Sequence, residues 1–279
     1  MTTTDVIQFD EIGRWSELKL EIVEKYGSAY TTAFAGAKGS KLKKFYIDAF
    51  SGAGVHLSKE TRQQIKGSPS RALKVSPPFD HFYFIDMNPG KTAYLETLCR
   101  GRTDVDVITD DATSYLTRKL LPTIQYKRFN RALCLLDPYG LHLDWEVMRQ
   151  AGQSGAVDMF LNFPVMDMNR NAIWKARERA PSDGVERMTR FWGDESWIEA
   201  AYAESPQYQL FSAPELIKQD NDAIVAAFRD RLRRVAGFQF VPEPLPMRNR
   251  NNAVVYYLFF ASPKPVAEKI IEEIFAKYR

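Results

Sequence analysis

An apolar run that stops at an acid and turns on two glycines constrains this chain most: Phe45-Tyr46-Ile47-Asp48-Ala49-Phe50-Ser51-Gly52-Ala53-Gly54. Such a run reads as a buried strand followed by a tight turn. Glycine permits positive φ and lets a ligand approach where a Cβ would collide. An acid at the carboxyl end of a strand points into the crevice where open α/β sheets bind ligands. A glycine pair alone also fits an ordinary strand-to-helix turn, so the remaining strands must decide.

They repeat the pattern. His81 to Asp86 (HFYFID) is a second strand ending in an acid, and Pro89 then opens a helix. Val105 to Ile108 is a third, followed by Thr109-Asp110-Asp111-Ala112. Arg131 to Leu136 is a fourth, followed by Asp137-Pro138-Tyr139-Gly140 and a helix from Trp145. Val157 to Phe163 is a fifth. Strands alternating with helices at this spacing predict βαβ units and a mostly parallel sheet.

The flanks are less regular. Leu18, Ile22, Tyr26, Tyr30 and Phe34 recur every four residues, so a helix is expected from Ser16, its N-cap, to Phe34. His56 to Lys66 is polar and reads as a loop; Ser68 and Pro69 read as N-cap and first residue of a helix. Met168 to Gln209 is helix-like but irregular, and a helix is expected from Pro214 to Val235. Phe238 to Val241 and Ala253 to Ala261 read as two final strands before a helix from Pro263. The expectation is one domain over residues 1–279, with a helical lead-in at 1–44 and a helical insertion at 165–236. Its class is α/β: a Rossmann-like, mostly parallel sheet with a C-terminal antiparallel hairpin.

Composition narrows the function classes. Cys99 and Cys134 form no CxxC pair, and the three histidines are scattered, so no metal site is expected. Two lone cysteines fit a reducing, cytoplasmic setting. No apolar run reaches about 18 residues, so a membrane span is not expected. The start, MTTTDVIQFDEIG, lacks the basic and apolar regions of a secretion signal. A net charge of +3 permits an anionic partner without demanding one.

In a parallel sheet the strand ends share one edge, so Asp48, Asp86, Asp111 and Asp137 converge although distant in sequence. A nucleoside cofactor explains each of the first three. Asp86 suits two ribose hydroxyls, Asp111 suits an adenine amino group, and Asp48 suits a cationic centre beside an amino-acid tail. Gly52 and Gly54 leave room for the tail and ribose. Asp110, the other acid of its pair, reads as a helix cap.

DAFSGAG, Asp86, the DDA of Asp110 to Ala112, and DPYG resemble the successive motifs of class I S-adenosylmethionine-dependent methyltransferases. The resemblance implies a cofactor-binding set of Asp48, Phe50, Gly52, Gly54, Asp86, Asp111 and Ala112. DPYG is similar to the D-P-P-Y motif of amino-methyltransferases acting on nucleic acid bases, but lacks one proline and adds a glycine. It implies catalytic roles for Asp137, Pro138 and Tyr139, with the acid receiving the acceptor amine and the aromatic orienting the base. With K-L-x-I-x-x-x-Y (Lys19 to Tyr26), GSP, FIDMNP, NFP, MNR and F-W-G-D-x-x-W added, the order resembles the three-Cys-motif partner proteins, often called TcmP. That likeness implies a separate three-cysteine-motif partner similar to radical S-adenosylmethionine enzymes.

The leading expectation is therefore methyl transfer to a nucleic acid base or nucleotide. The alternatives are a non-catalytic cofactor-binding partner subunit and a metal-dependent nucleic-acid-processing enzyme on the same fold. Other residues stay open between roles. Asp137 also suits an N-cap, and Tyr139 could pack on the sheet. Asn162, Phe163 and Pro164 sit at a strand end and could line the pocket. His56 and His142 fit either a general base or a solvated loop histidine. Arg170, Lys175, Arg177, Arg179, Arg187 and Arg190, interleaved with Trp174, Phe191 and Trp192, fit phosphate contact with base stacking or a solvated helix face over its own core.

Overall fold

The computed structural model describes residues 9–34, 41–204 and 216–279. Strand β1 (Glu11–Ile12) leads into helix α1 (Arg14–Ala33). The helix begins at Arg14 because extended Gly13 caps it: its carbonyl accepts from the Ser16 and Glu17 amides at 2.9 and 3.3 Å. Ser16, expected as the cap, lies in the first turn. One face of α1 buries Ile22, Val23, Tyr26 and Tyr30.

Strand β2 (Lys43–Asp48) follows and carries the glycine loop. The stretch expected to be a loop is instead a hairpin, β3 (Val55–Ser58) and β4 (Gln64–Lys66), which β1 joins by parallel pairing to β3. Its three strands satisfy one another's backbone groups, a tertiary pairing that polar composition hides. Helix α2 (Ser68–Ala72) is capped by Gly67 rather than Ser68. Gly67 donates to the Gly54 carbonyl at 2.9 Å, and a Cβ there would lie 2.9 Å from the Gly54 carbonyl carbon.

Next come β5 (His81–Asp86), α3 (Pro89–Leu98), β6 (Val105–Thr109), α4 (Ala112–Tyr115), β7 (Asn130–Leu136), α5 (Trp145–Ser154) and β8 (Val157–Phe163). Helices α6 (Val165–Asn171), α7 (Ser182–Trp192) and α8 (Trp197–Ala201) lead to β9 (Tyr202–Glu204), which pairs antiparallel with β10 (Leu216–Lys218). The helix expected from Pro214 begins only at α9 (Asn221–Arg234), where the Asp220 carboxylate accepts from the Ala223 amide at 2.9 Å; Pro214 and Gln209 lie outside the described residues.

The chain ends in β11 (Leu245–Arg248), β12 (Val254–Ala261) and α10 (Pro265–Phe275). The hairpin uses a different first strand from the one expected. Phe240 makes only an isolated bridge to Ser262, while Leu245–Arg248 pairs with β12. Pro246 is tolerated there because β11 is the sheet edge and its lost amide is not needed.

The sheet order is β6-β5-β2-β7-β8-β12-β11. β6 through β8 run parallel, and β12 runs antiparallel to both neighbours. One face packs Tyr46, Phe82, Phe84 and Phe160 under α1, α3 and α10. The other packs Ile47, Cys134, Met159 and Leu161 under α5, α7 and α9. Successive strand residues alternate between these cores, as the pleat requires. No helix among the described residues is long and apolar enough to cross a membrane.

Candidate functional site

The chain leaves β2 toward β5 and β6 on one side, then returns to β7 and β8 on the other. Open sheets bind ligands at such a reversal, outside the carboxyl ends of the strands. Asp48 ends β2, and Asp137 immediately follows β7, so these two carboxylates face the switch point directly.

The glycine loop is shaped by φ values of +59° at Gly52 and +75° at Gly54. The Gly52 amide donates to Asp86 Oδ2 at 2.9 Å, and the Asn88 amide donates to Asp86 Oδ1 at 2.8 Å. Asp86 therefore ties the loop to the end of β5. A Cβ on Gly52 would project into the crevice, where Asp10 and His56 lie 3.9 and 4.0 Å away. Phe50 is half-buried against the core below.

Asp48 is fully buried, and neither oxygen has a hydrogen-bond partner among the described residues. Burial pushes its carboxyl up to about 7, with the nearby Asp137 charge adding to the rise. The Ser68 hydroxyl and Phe50 amide pull it back without reaching hydrogen-bond geometry.

Asp137 is held differently. Its Oδ2 pairs with the Lys19 ammonium, and its Oδ1 accepts from Asn162 Nδ2 at 2.8 Å. Burial would raise this carboxyl, but Lys19, Asn162 and His56 outweigh it and hold it below the usual range. Two neighbouring carboxylates thus have opposite shifts, an arrangement that separates acid and base duties.

Lys19 joins the site although no strand-end motif marks it. It is 4% exposed and its Nζ lies 5.7 Å from the centre of the Tyr256 ring. The signal was present: a lysine on the apolar stripe of α1, four residues before Val23. His56 was weighed as a loop residue but sits on β3, with Nδ1 buried and unpartnered among the described residues. Burial and the Lys19 charge lower its pKa, so it is a neutral imidazole at pH 7. His142 is solvent-exposed.

The DPYG turn explains its own departure from D-P-P-Y. Gly140 has φ +59°, and a Cβ there would lie 2.5 Å from Asp167 Oδ2. That same Asp167 oxygen accepts from the Leu141 amide at 3.2 Å, bracing the turn from α6. Pro138 is buried, while Tyr139 is 85% exposed beside the crevice rather than packed on the sheet. Gly140→Ala is expected to destabilise the fold by about 1–3 kcal/mol, through positive φ and the displaced Asp167. Urea denaturation checks this; an unchanged midpoint would show that the brace is dispensable.

Asp111 and Ala112 sit two strands from the switch point, at the rim. Asp111, not Asp110, caps α4, accepting from the Ser114 amide at 2.8 Å. Asp110 accepts from the Asp111 amide and pairs with Lys119 at 3.1 Å. The cap expected at Asp110 falls on Asp111, because the helix starts one residue later. Phe163 and Pro164 are buried and contribute packing; Asn162 alone of that trio reaches the site.

The basic run also divides. Phe191 and Trp192 are core, and Arg187 pairs with Asp183 at 2.7 Å. Arg170, Lys175, Arg179 and Lys218 instead line an open concavity of about 500 Å³ with Trp174. Among the described residues no group of three or more His, Cys, Asp or Glu side chains has the arrangement of a metal site.

The strand order, with its antiparallel penultimate strand, is that of a Rossmann-like α/β fold of the class I methyltransferase type. No protein-family model matches the sequence, and a search of curated proteins gives no match. Among solved structures, the chain is similar to protein LPL1258 from Legionella pneumophila, family-model DUF519, at 13% identity and TM-score 0.50, covering 93% of this chain and 92% of that one. It also aligns with a putative S-adenosylmethionine-dependent methyltransferase from Listeria monocytogenes at 11% identity and TM-score 0.41, covering 85% and 98% of the two chains. A methyltransferase from Leishmania major aligns at 9% identity and TM-score 0.41, covering 87% and 72%. At these identities the likeness concerns the fold alone.

Proposed function

We propose that this protein is an S-adenosylmethionine-dependent methyltransferase whose acceptor is a nucleic acid base or nucleotide. The observation that carries the reading is Asp137, an ionised acceptor at the switch point beside an exposed tyrosine. The residues fit the cofactor. Asp48 offers a cationic group two carboxylate oxygens that have no hydrogen-bond partner among the described residues, Gly52 leaves the crevice open, and Asp86 keeps lone pairs beyond the two amides it holds. Asp111 and Ala112 complete that set at the rim, and Phe50 lies beneath it. When bound, S-adenosylmethionine supplies an electrophilic methyl group on a sulfonium.

The chain's own residues then orient the acceptor. Asp137 accepts a hydrogen bond from the acceptor amine, with Lys19 and Asn162 keeping the carboxylate ionised and fixed. Pro138 sets the turn, and Tyr139 offers a ring face for base stacking. The concavity of Arg170, Lys175, Arg179 and Lys218 suits phosphates. Holding the acceptor in line supplies most of the acceleration.

A second reading is favoured by Lys19. Its ammonium already occupies Asp137, as befits a cofactor-binding subunit that serves a three-Cys-motif protein without transferring methyl itself. Calorimetry with S-adenosylmethionine tests the shared premise. Wild type is expected to bind, and Asp86→Ala to bind about 10- to 100-fold more weakly, the range for a lost charged hydrogen bond. Circular dichroism confirms that the variant is folded. Absence of wild-type binding ends both readings. Binding without transfer of labelled methyl to RNA, DNA or nucleotides favours the second.

A further inference from the structure

A second cavity opens at the amino-terminal edge of the sheet, one strand length or about 20 Å from the switch point. It measures about 300 Å³ and lies among α1, the start of β8 and α10, within the size range of small-molecule sites. Nothing in the proposed methyl-transfer chemistry uses it.

The cavity is polar at its floor and cationic at its mouth. Asp158, 7% exposed, accepts from the Tyr26 hydroxyl and from Ser262 Oγ, both at 2.6 Å. Tyr30 also lines the cavity and is 4% exposed, yet its hydroxyl has no hydrogen-bond partner among the described residues. A buried hydroxyl left without a partner is costly, so its retention points to a group that completes it. Phe34, Ala156, Ala267 and Ile270 give the cavity apolar walls. At the outer side Tyr126 is 46% exposed, with the Arg131 guanidinium 3.7 Å and the Lys264 ammonium 4.4 Å from its ring centre.

These features set both the chemistry and the orientation of an occupant. A carboxylate is rejected by Asp158 at the floor and accepted by the two cations at the mouth. A hydroxyl is accepted at the floor, which Tyr30 and Asp158 line, each Asp158 oxygen keeping a lone pair beyond the hydrogen bond it already accepts. A planar ring fits between, against aromatic and small apolar walls. We propose that this cavity binds a small hydroxyaryl carboxylate, phenol end inward and carboxylate outward, at a site separate from the switch-point crevice.

Titration calorimetry of the whole chain with 4-hydroxybenzoate, benzoate and 4-hydroxybenzamide tests this. One equivalent of 4-hydroxybenzoate is expected to bind, with benzoate and 4-hydroxybenzamide each at least about fivefold weaker, the lower bound for a lost polar contact. Lys264→Met, at an exposed position, should weaken 4-hydroxybenzoate without affecting the fold. Tyr30→Phe keeps the ring and should narrow the preference for 4-hydroxybenzoate over benzoate. No binding by wild type at millimolar ligand, equal binding of the amide, or indifference to both substitutions overturns the proposal. Asp137→Asn, confirmed as folded by circular dichroism, leaves the titration unchanged if the two sites are separate; a lost titration in the folded variant places the ligand in the crevice and overturns it too.

Discussion

Asp137→Asn is expected to lower methyl transfer by about 100- to 10,000-fold while S-adenosylmethionine still binds, the range typical of a lost proton acceptor. The carboxylate is held below its usual pKa by Lys19 and Asn162, so it is an ionised hydrogen-bond acceptor at neutral pH. Asparagine keeps the shape and removes the charge. The substitution also strands Lys19, whose side chain is only 5% exposed. An uncompensated buried ammonium destabilises the fold by about 3 kcal/mol. Lys19→Met with Asp137→Asn removes both charges and should restore most of the stability but none of the transfer. A radiolabel transfer assay and urea denaturation on the single and double variants separate the two effects. Full activity in Asp137→Asn would remove this residue from the chemistry, and recovery of transfer in the double variant would make its role structural.

Asp48→Asn is expected to raise stability above neutrality and to weaken cofactor binding. The Asp48 carboxyl is raised by burial to about 7, well above its value in the unfolded chain. Between about pH 4 and pH 7 the folded state therefore holds a proton that the unfolded state has lost, and stability falls as pH rises through that window. By pH 8 the loss attributable to Asp48 is at most about 4 kcal/mol. Asp158, raised by burial to about 6, acts in the same direction over a narrower range. Denaturation midpoints at pH 5 and pH 8 should thus diverge more in wild type than in Asp48→Asn, the remaining slope being set by Asp158 and, with the opposite sign, by His56, whose pKa burial lowers. Superimposable wild-type and Asp48→Asn profiles from pH 5 to pH 8 would contradict the raised carboxyl. Retaining a buried acid against such a cost fits a site that receives a cation.

Much of this was legible because strand ends are local. The apolar runs into Asp48, Asp86 and Asp137, each closed by glycine or proline, carry their own punctuation. The same local cues placed α3 correctly at Pro89, where Asn88 caps the helix and accepts from the Gly90 and Lys91 amides at 2.9 and 3.1 Å. Local cues misled where backbone groups find distant partners. His56 to Lys66 looked like a loop because its strands pair with each other and with β1, some 45 residues earlier. Ser16 and Ser68 looked like caps, yet glycines one to three residues before them start the helices. Phe238 to Val241 had strand composition, but the edge position went to Leu245–Arg248, proline included.

By itself the amino-acid sequence determined the order of the five parallel strands, and therefore a mostly parallel sheet with its acids on one edge. Periodicity and turn residues act over a few positions, and right-handed crossovers leave little freedom in how such units assemble. Only the tertiary structure decided what those acids experience. Asp48 and Asp137 are both strand-end aspartates, and nothing in their flanking residues tells their ionisation apart. One lies buried with no hydrogen-bond partner among the described residues, and the other is held by a lysine 118 residues away. Burial and charge pairing are three-dimensional quantities, and they alone separate a near-neutral carboxyl from an ionised one.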